Sequence, residues 1–110
     1  MKPTLKPLKF VGSSQDDIRD FPEAVRRAVG TELMVVQFGG APTDFKPMSS
    51  VGAGAYEVRV RIEGAWRAIY VAKFEDAVYV LHAFQKKTQK TSKADIDLAA
   101  ARYKLIAGKP

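Results

Sequence analysis

The sequence predicts a small α+β fold. Three segments, Ala55–Ile62, Trp66–Lys73 and Val78–Phe84, follow one another closely and are rich in β-branched and aromatic residues, as adjacent strands are. Ahead of them Val25, Ala28, Val29, Leu33 and Val36 recur at helical spacing, and behind them Ile96, Ala99, Ala100, Tyr103 and Ile106 do the same. Helices at both ends of a run of strands, rather than alternating with single strands, point to a mostly antiparallel sheet with helices packed on one side.

The elements follow in order. Leu8–Val11 is a short apolar run and reads as a first strand. Ser13 and Ser14 offer N-caps, and Ser14 with Asp17 has the spacing of a capping box, so a short helix should run to about Asp20. Pro22 suits the first turn of a second helix, which Gly39-Gly40 ends; the two form a helical hairpin or one kinked helix. Residues 39–54 carry six Gly and Pro residues and read as a long loop containing Lys46. In Ala55–Ile62 the residues Tyr56, Val58, Val60 and Ile62 share one face, and Glu57, Arg59 and Arg61 the other. Glu63-Gly64 and Glu75-Asp76 mark turns, and Val78–Phe84 is apolar enough to be a central strand. Ser92, with Asp95 three positions on, caps a last helix that Gly108 stops. The expected order is β-α-α-β-β-β-α, in one domain spanning residues 1–110.

Composition narrows the function classes. With 46% hydrophobic residues the chain can fold; with no cysteine it has neither disulfide nor thiolate chemistry, which fits a cytoplasmic protein. His82 is the single histidine and no tight carboxylate cluster adjoins it in sequence, so no metal or other cofactor is expected. No apolar run is long enough for a membrane span, and the basic start at residues 1–10 lacks the apolar stretch of a signal peptide. The net charge of +6 is unevenly spread: Asp16, Asp17, Asp20 and Glu23 lie early, whereas Lys86–Lys93 (KKTQKTSK) holds four lysines and no acid, with Arg59, Arg61 and Arg67 just upstream. Clustered cations gain affinity for a polyanion by releasing its counterions.

The stretches YEVRVRIEGAWRAIYVAKF and AVYVLHAFQKKTQKTSKADID, with the opening KPLKFVGSSQDDIRDFPEAVRRAVG, resemble the phage-derived Gp49-like proteins of the HigB branch of the RelE/ParE toxin superfamily. The resemblance runs from about Pro7 to Ile106, and LHAFQKKTQKT is its most specific part. It implies a RelE-like fold and the toxin of a type II toxin–antitoxin pair: a ribosome-dependent mRNA endoribonuclease that needs no metal. The implied partners are a helix-turn-helix, HigA-like antitoxin, the ribosome and mRNA, with operator DNA reached only through the antitoxin.

Cleavage by a ribose 2′-OH needs a base, cations around the phosphorane, and an acid for the leaving 5′-oxygen. The resemblance puts Arg67 where the superfamily has a catalytic arginine, and its guanidinium matches phosphate oxygens. Arg59 and Arg61 are the other arginine candidates. Whether they share a face with Arg67 depends on the hairpin register, which a two- or three-residue loop would set oppositely. HigB-type sites use a histidine near the end of the last strand, which implies His82 as acid, base or substrate contact; by its apolar neighbours it is equally a core residue. Lys86 and Lys87 end that strand by family position as substrate contacts; Thr88, Lys90 and Lys93, with Gln89, would hold RNA, as would Lys46 in the loop. Trp66 and Tyr70 suit core packing better than base stacking. Some relatives carry two alternating lysines where this chain has Glu57 and Arg59, so the base stays open among His82, Lys87 and Glu57. The alternatives are a non-nucleolytic toxin of the same fold that inhibits gyrase, and a degenerate phage-derived binding protein.

Overall fold

The computed structural model describes residues 5–108, so residues 1–4 of the basic start, with Lys2, and residues 109–110 lie outside the described residues. The order is β1 (Leu8–Phe10), α1 (Ser14–Arg19), α2 (Glu23–Gln37), β2 (Phe45–Pro47), β3 (Ala55–Arg61), β4 (Ala65–Val71), β5 (Val78–Lys86) and α3 (Lys93–Ala107). The sheet runs β1-β5-β4-β3-β2; every pairing is antiparallel except that of β1 with β5.

Two expectations change. The loop at 39–54 contains a fifth strand, β2, paired with β3 so that Lys46 faces Glu57. Three residues with a proline give too short a pattern to stand out, and only the neighbouring strand defines them as a strand. The helices also do not share one side. Val25, Val29, Leu33 and Val36 of α2, with Ile18 of α1, pack on Val58, Val60, Trp66, Ala68, Tyr70, Val78 and Val80. Ala99 and Ile106 of α3 pack on the reverse face with Ile69, Val71, Tyr79 and Leu81. Alternation along β5 feeds Val78 and Val80 to the first layer and Tyr79 and Leu81 to the second, and a register shift between Ile69 and Tyr70 leaves Leu81 unpaired, which turns the next residue, His82, to the same side as Leu81. That double burial explains the continuous apolar reading of β5, which lies inside the sheet although β4 is the middle strand.

Local signals are partly reassigned as well. Ser92 caps α3 as expected, accepting from the Asp95 amide at 3.1 Å. Ser14 does not cap α1: it is the first residue of the helix, fully buried, and its hydroxyl donates to the Val80 carbonyl at 2.9 Å. Ser13 takes the N-cap position, and its hydroxyl meets Asp17 at 2.9 Å. Pro22 stands just before α2 rather than within it, and the kink between α1 and α2 makes them separate helices. Trp66 and Tyr70 are core residues, with Trp66 against Phe21 at 4.9 Å between ring centroids. Among the described residues no helix is long and apolar enough to cross a membrane.

Candidate functional site

The hairpin register decides which cations meet. Arg61 pairs with Ala65 across the three residues Ile62, Glu63 and Gly64, and Arg59 stands directly opposite Arg67. Both Glu63 (φ 48°) and Gly64 (φ 134°) have positive φ, which the short connection requires and glycine supplies at least cost. Residues paired across a sheet share a face, so Arg59, Arg61 and Arg67 point to the same side. On that side β5 contributes His82 opposite Ile69, Phe84 opposite Arg67, and Lys86 opposite Ala65. From the far edge β2 contributes Lys46 opposite Glu57. This is the face α3 covers, and the cations occupy the part beyond its N-terminal end.

The centre of the patch is a carboxylate. Glu57 is fully buried, and its Oε2 accepts from the Thr91 hydroxyl at 2.7 Å. Its Oε1 lies 3.4 Å from Arg67 Nε, 3.9 Å from Arg59 Nε and 4.0 Å from Lys46 Nζ. Arg67 is itself only 2% exposed, so it is not the surface strand arginine that its position in a hairpin suggests; its Nη1 donates to the Trp66 carbonyl at 2.9 Å. Arg59 also approaches Asp44 at 3.8 Å. Burial pulls the Arg67 guanidinium below its ordinary pKa; Glu57 opposes this, and Arg59 and Arg61 add to it. Lys86 is lowered in the same way, first by burial and then by Arg67, Lys46 and Arg59, again against Glu57.

His82 has a different setting. Its Nε2 meets Asp95 Oδ1 at 2.7 Å, its ring stacks on Phe84 at 4.8 Å, and Nδ1 is buried without a hydrogen-bond partner. The geometry suits an Nε2–H donated to the carboxylate. Through Thr91 and Asp95 the start of α3 is therefore fastened to Glu57 on β3 and to His82 on β5.

The structure brings together Lys46, Arg59, Arg61, Arg67 and Lys86, and places His82 on the same face beside Phe84. Lys87, Thr88 and Lys90 follow on the exposed connection from β5 to α3, and Lys93 starts α3 paired with Asp97 at 3.0 Å. Sequence reasoning missed Thr91 and Asp95 as partners of the site. Asp95 carries a signal, its capping position, but Thr91 lies 34 residues from Glu57 with nothing local to connect them.

The family described as phage derived protein Gp49-like (DUF891) matches residues 16–104. The chain belongs to the Gp49-like family. Among solved structures this Gp49-like protein is similar to an E. coli toxin RelE variant, doubly substituted at arginines, in the free state; identity is 17%, the TM-score 0.64, and the match covers 93% of this chain and 98% of that one. At that identity the likeness establishes a shared RelE-type fold. No match was found among the curated proteins.

Proposed function

We propose that this Gp49-like protein is the toxin of a type II toxin–antitoxin pair and cleaves mRNA on the ribosome. One observation carries the reading: Lys46, Arg59, Arg61, Arg67 and Lys86 converge on one sheet face where, among the described residues, Glu57 and Asp44 are the only acids paired with them. So much uncompensated charge, part of it buried, is expensive to hold without an anionic ligand, and RNA phosphate supplies one.

In the proposed reaction the ribose O2′ loses its proton to a base and bonds to the adjacent phosphorus. The P–O5′ bond breaks, O5′ takes up a proton, and a 2′,3′-cyclic phosphate and a 5′-OH remain. Arg67 and Arg59 face the growing charge on the phosphorane with donors fixed in place beforehand. Lys86, whose proton is loosened by burial and by Arg67, suits a proton-transfer step. Of the other candidate bases, Glu57 has both oxygens engaged by Thr91 and the guanidinium groups, His82 Nε2 is engaged by Asp95, and Lys87 is exposed past the end of β5. Lys87, Thr88, Lys90 and Lys93 would then track the RNA backbone as it leaves the site. A helix-turn-helix antitoxin is the partner this reading requires.

The test is growth after induced expression of wild type, Arg67→Ala and His82→Ala, with mapping of message 5′ ends. Arrest with new cuts inside translated messages, absent in Arg67→Ala, is expected. Arrest without cuts would overturn the nuclease reading in favour of another target such as gyrase. No arrest from a verified folded product would leave a binding protein.

A further inference from the structure

Glu57 has no part in the chemistry above, yet it is the most enclosed charged group in the patch. Its neighbours explain why it is there. Arg59 and Arg67 stand directly opposite each other, an arrangement in which like charges repel. Both present Nε, the inner edge of the guanidinium, to the same oxygen, at 3.9 and 3.4 Å. Lys46 approaches that oxygen from β2 at 4.0 Å. Glu57 Oε1, Arg59 Nε and Arg67 Nε are all buried, and none has a hydrogen bond of good geometry, so charge rather than directed bonding gathers them. The other carboxylate oxygen is held by Thr91, the residue before the cap of α3.

We infer that Glu57 is the positioning residue of the cationic site and that Thr91 fixes its orientation. The carboxylate draws the inner edges of both guanidinium groups to one point; with Arg67 Nη1 on the Trp66 carbonyl and Arg59 Nη1 near Asp44, Nη2 of each is the donor a phosphate can meet. Lys46 is held in the same ring. Glu57 is not a base in this scheme: one carboxylate oxygen accepts from Thr91 and the other faces two guanidinium groups, which hold it away from proton transfer. Thr91 makes the assembly of the site depend on the docking of α3, since its hydroxyl is the direct link between that connection and the carboxylate. The purpose of the cations rests on the proposed RNA cleavage; their placement by Glu57 does not.

The experiment uses the full chain without RNA, as wild type, Glu57→Gln and Thr91→Val. Arginine Nε–Hε resonances are followed for exchange with water, and the Lys86 side-chain amine is titrated by NMR. Arg59 and Arg67 should exchange about tenfold faster in both variants, as expected for loss of a charge-assisted contact. Arg102, bonded to the Leu81 carbonyl and Ser13, should not change and reports that the fold is intact. The Lys86 titration should move to lower pH in Glu57→Gln, because Glu57 is the acid that holds the proton there against Arg67, Lys46 and Arg59. It should stay in place in Thr91→Val, which keeps the charge. A folded Glu57→Gln with Arg59, Arg67 and Lys86 unmoved would overturn the inference. If Glu57→Gln does not fold, Thr91→Val decides: unchanged arginine exchange there refutes the role of Thr91 and with it the placement. Absence of message cleavage by wild type would sink the proposed function and leave these spectra standing.

Discussion

Arg67→Lys separates charge from geometry. In wild type the Arg67 Nε faces Glu57 at 3.4 Å and Nη1 is committed to the Trp66 carbonyl at 2.9 Å, so the remaining donors are held in a fixed plane. A lysine keeps the charge, but its ammonium is a point that Glu57 would attract, and nothing then holds a planar pair of donors for the phosphate. Because a cation still answers Glu57, the fold should persist, with melting within about 4 °C of wild type. Removing one preorganised donor from a developing oxyanion costs about 10²–10³-fold in rate, so cleavage should fall by that factor. The assay is single-turnover cleavage of a message on stalled ribosomes, with the 5′ ends mapped to the wild-type positions. A folded Arg67→Lys that cuts within about threefold of wild type would refute the claim that planar, fixed donors on Arg67 stabilise the transition state.

Three further outcomes follow from the same geometry. Binding of a single-stranded RNA with blocked 2′-hydroxyls should weaken with salt, and Arg59→Ala should lower the slope of log K against log salt by about 0.7, the value for one phosphate contact; an unchanged slope would remove Arg59 from the interface. Burial, with Tyr56 and Glu32 adding to it, raises the Tyr70 hydroxyl from 10.0 to about 12, so the folded state holds this proton more tightly than the unfolded one. Its contribution to stability is therefore full below pH 10.0 and is lost as pH rises towards about 12, and urea midpoints across that range should fall less in Tyr70→Phe than in wild type. Ser14→Ala removes a buried hydroxyl from the Val80 carbonyl and should cost about 1 kcal/mol in urea unfolding, whereas the exposed Ser13→Ala should stay within about 0.5 kcal/mol; the reverse order would refute the Ser14–Val80 bond as the anchor of α1.

Much of the fold was legible because its signals are local. The periodicity of Val25, Val29, Leu33 and Val36, the alternation from Tyr56 to Arg61, and the Ser92–Asp95 cap each sit within a few turns or a single strand, and each matches the element found. The three-residue β2 was not legible, since its pairing with β3 and not its own composition makes it a strand. Ser14 was misread for a related reason: a serine before a helix looks alike whether its hydroxyl caps the helix or meets a strand 66 residues away. The candidate site was visible as residue types but not as an arrangement. Arg59, Arg61, Arg67 and Lys86 could be named from charge and resemblance, but their common face needed the hairpin register.

The sequence by itself determined the α+β class, the helical ends, the two faces of the strand from Ala55 to Arg61 and the basic bias of the second half, because these depend on period and composition. Only the tertiary structure decided that α3 crosses to the opposite face from α2, that Arg59 opposes Arg67, and that a buried Glu57 held by Thr91 sits among the cations. Those facts depend on strand order, register and long-range docking, where a one-residue slip of the β3–β4 hairpin would put Arg67 on the opposite side of the sheet from Arg59 and Arg61.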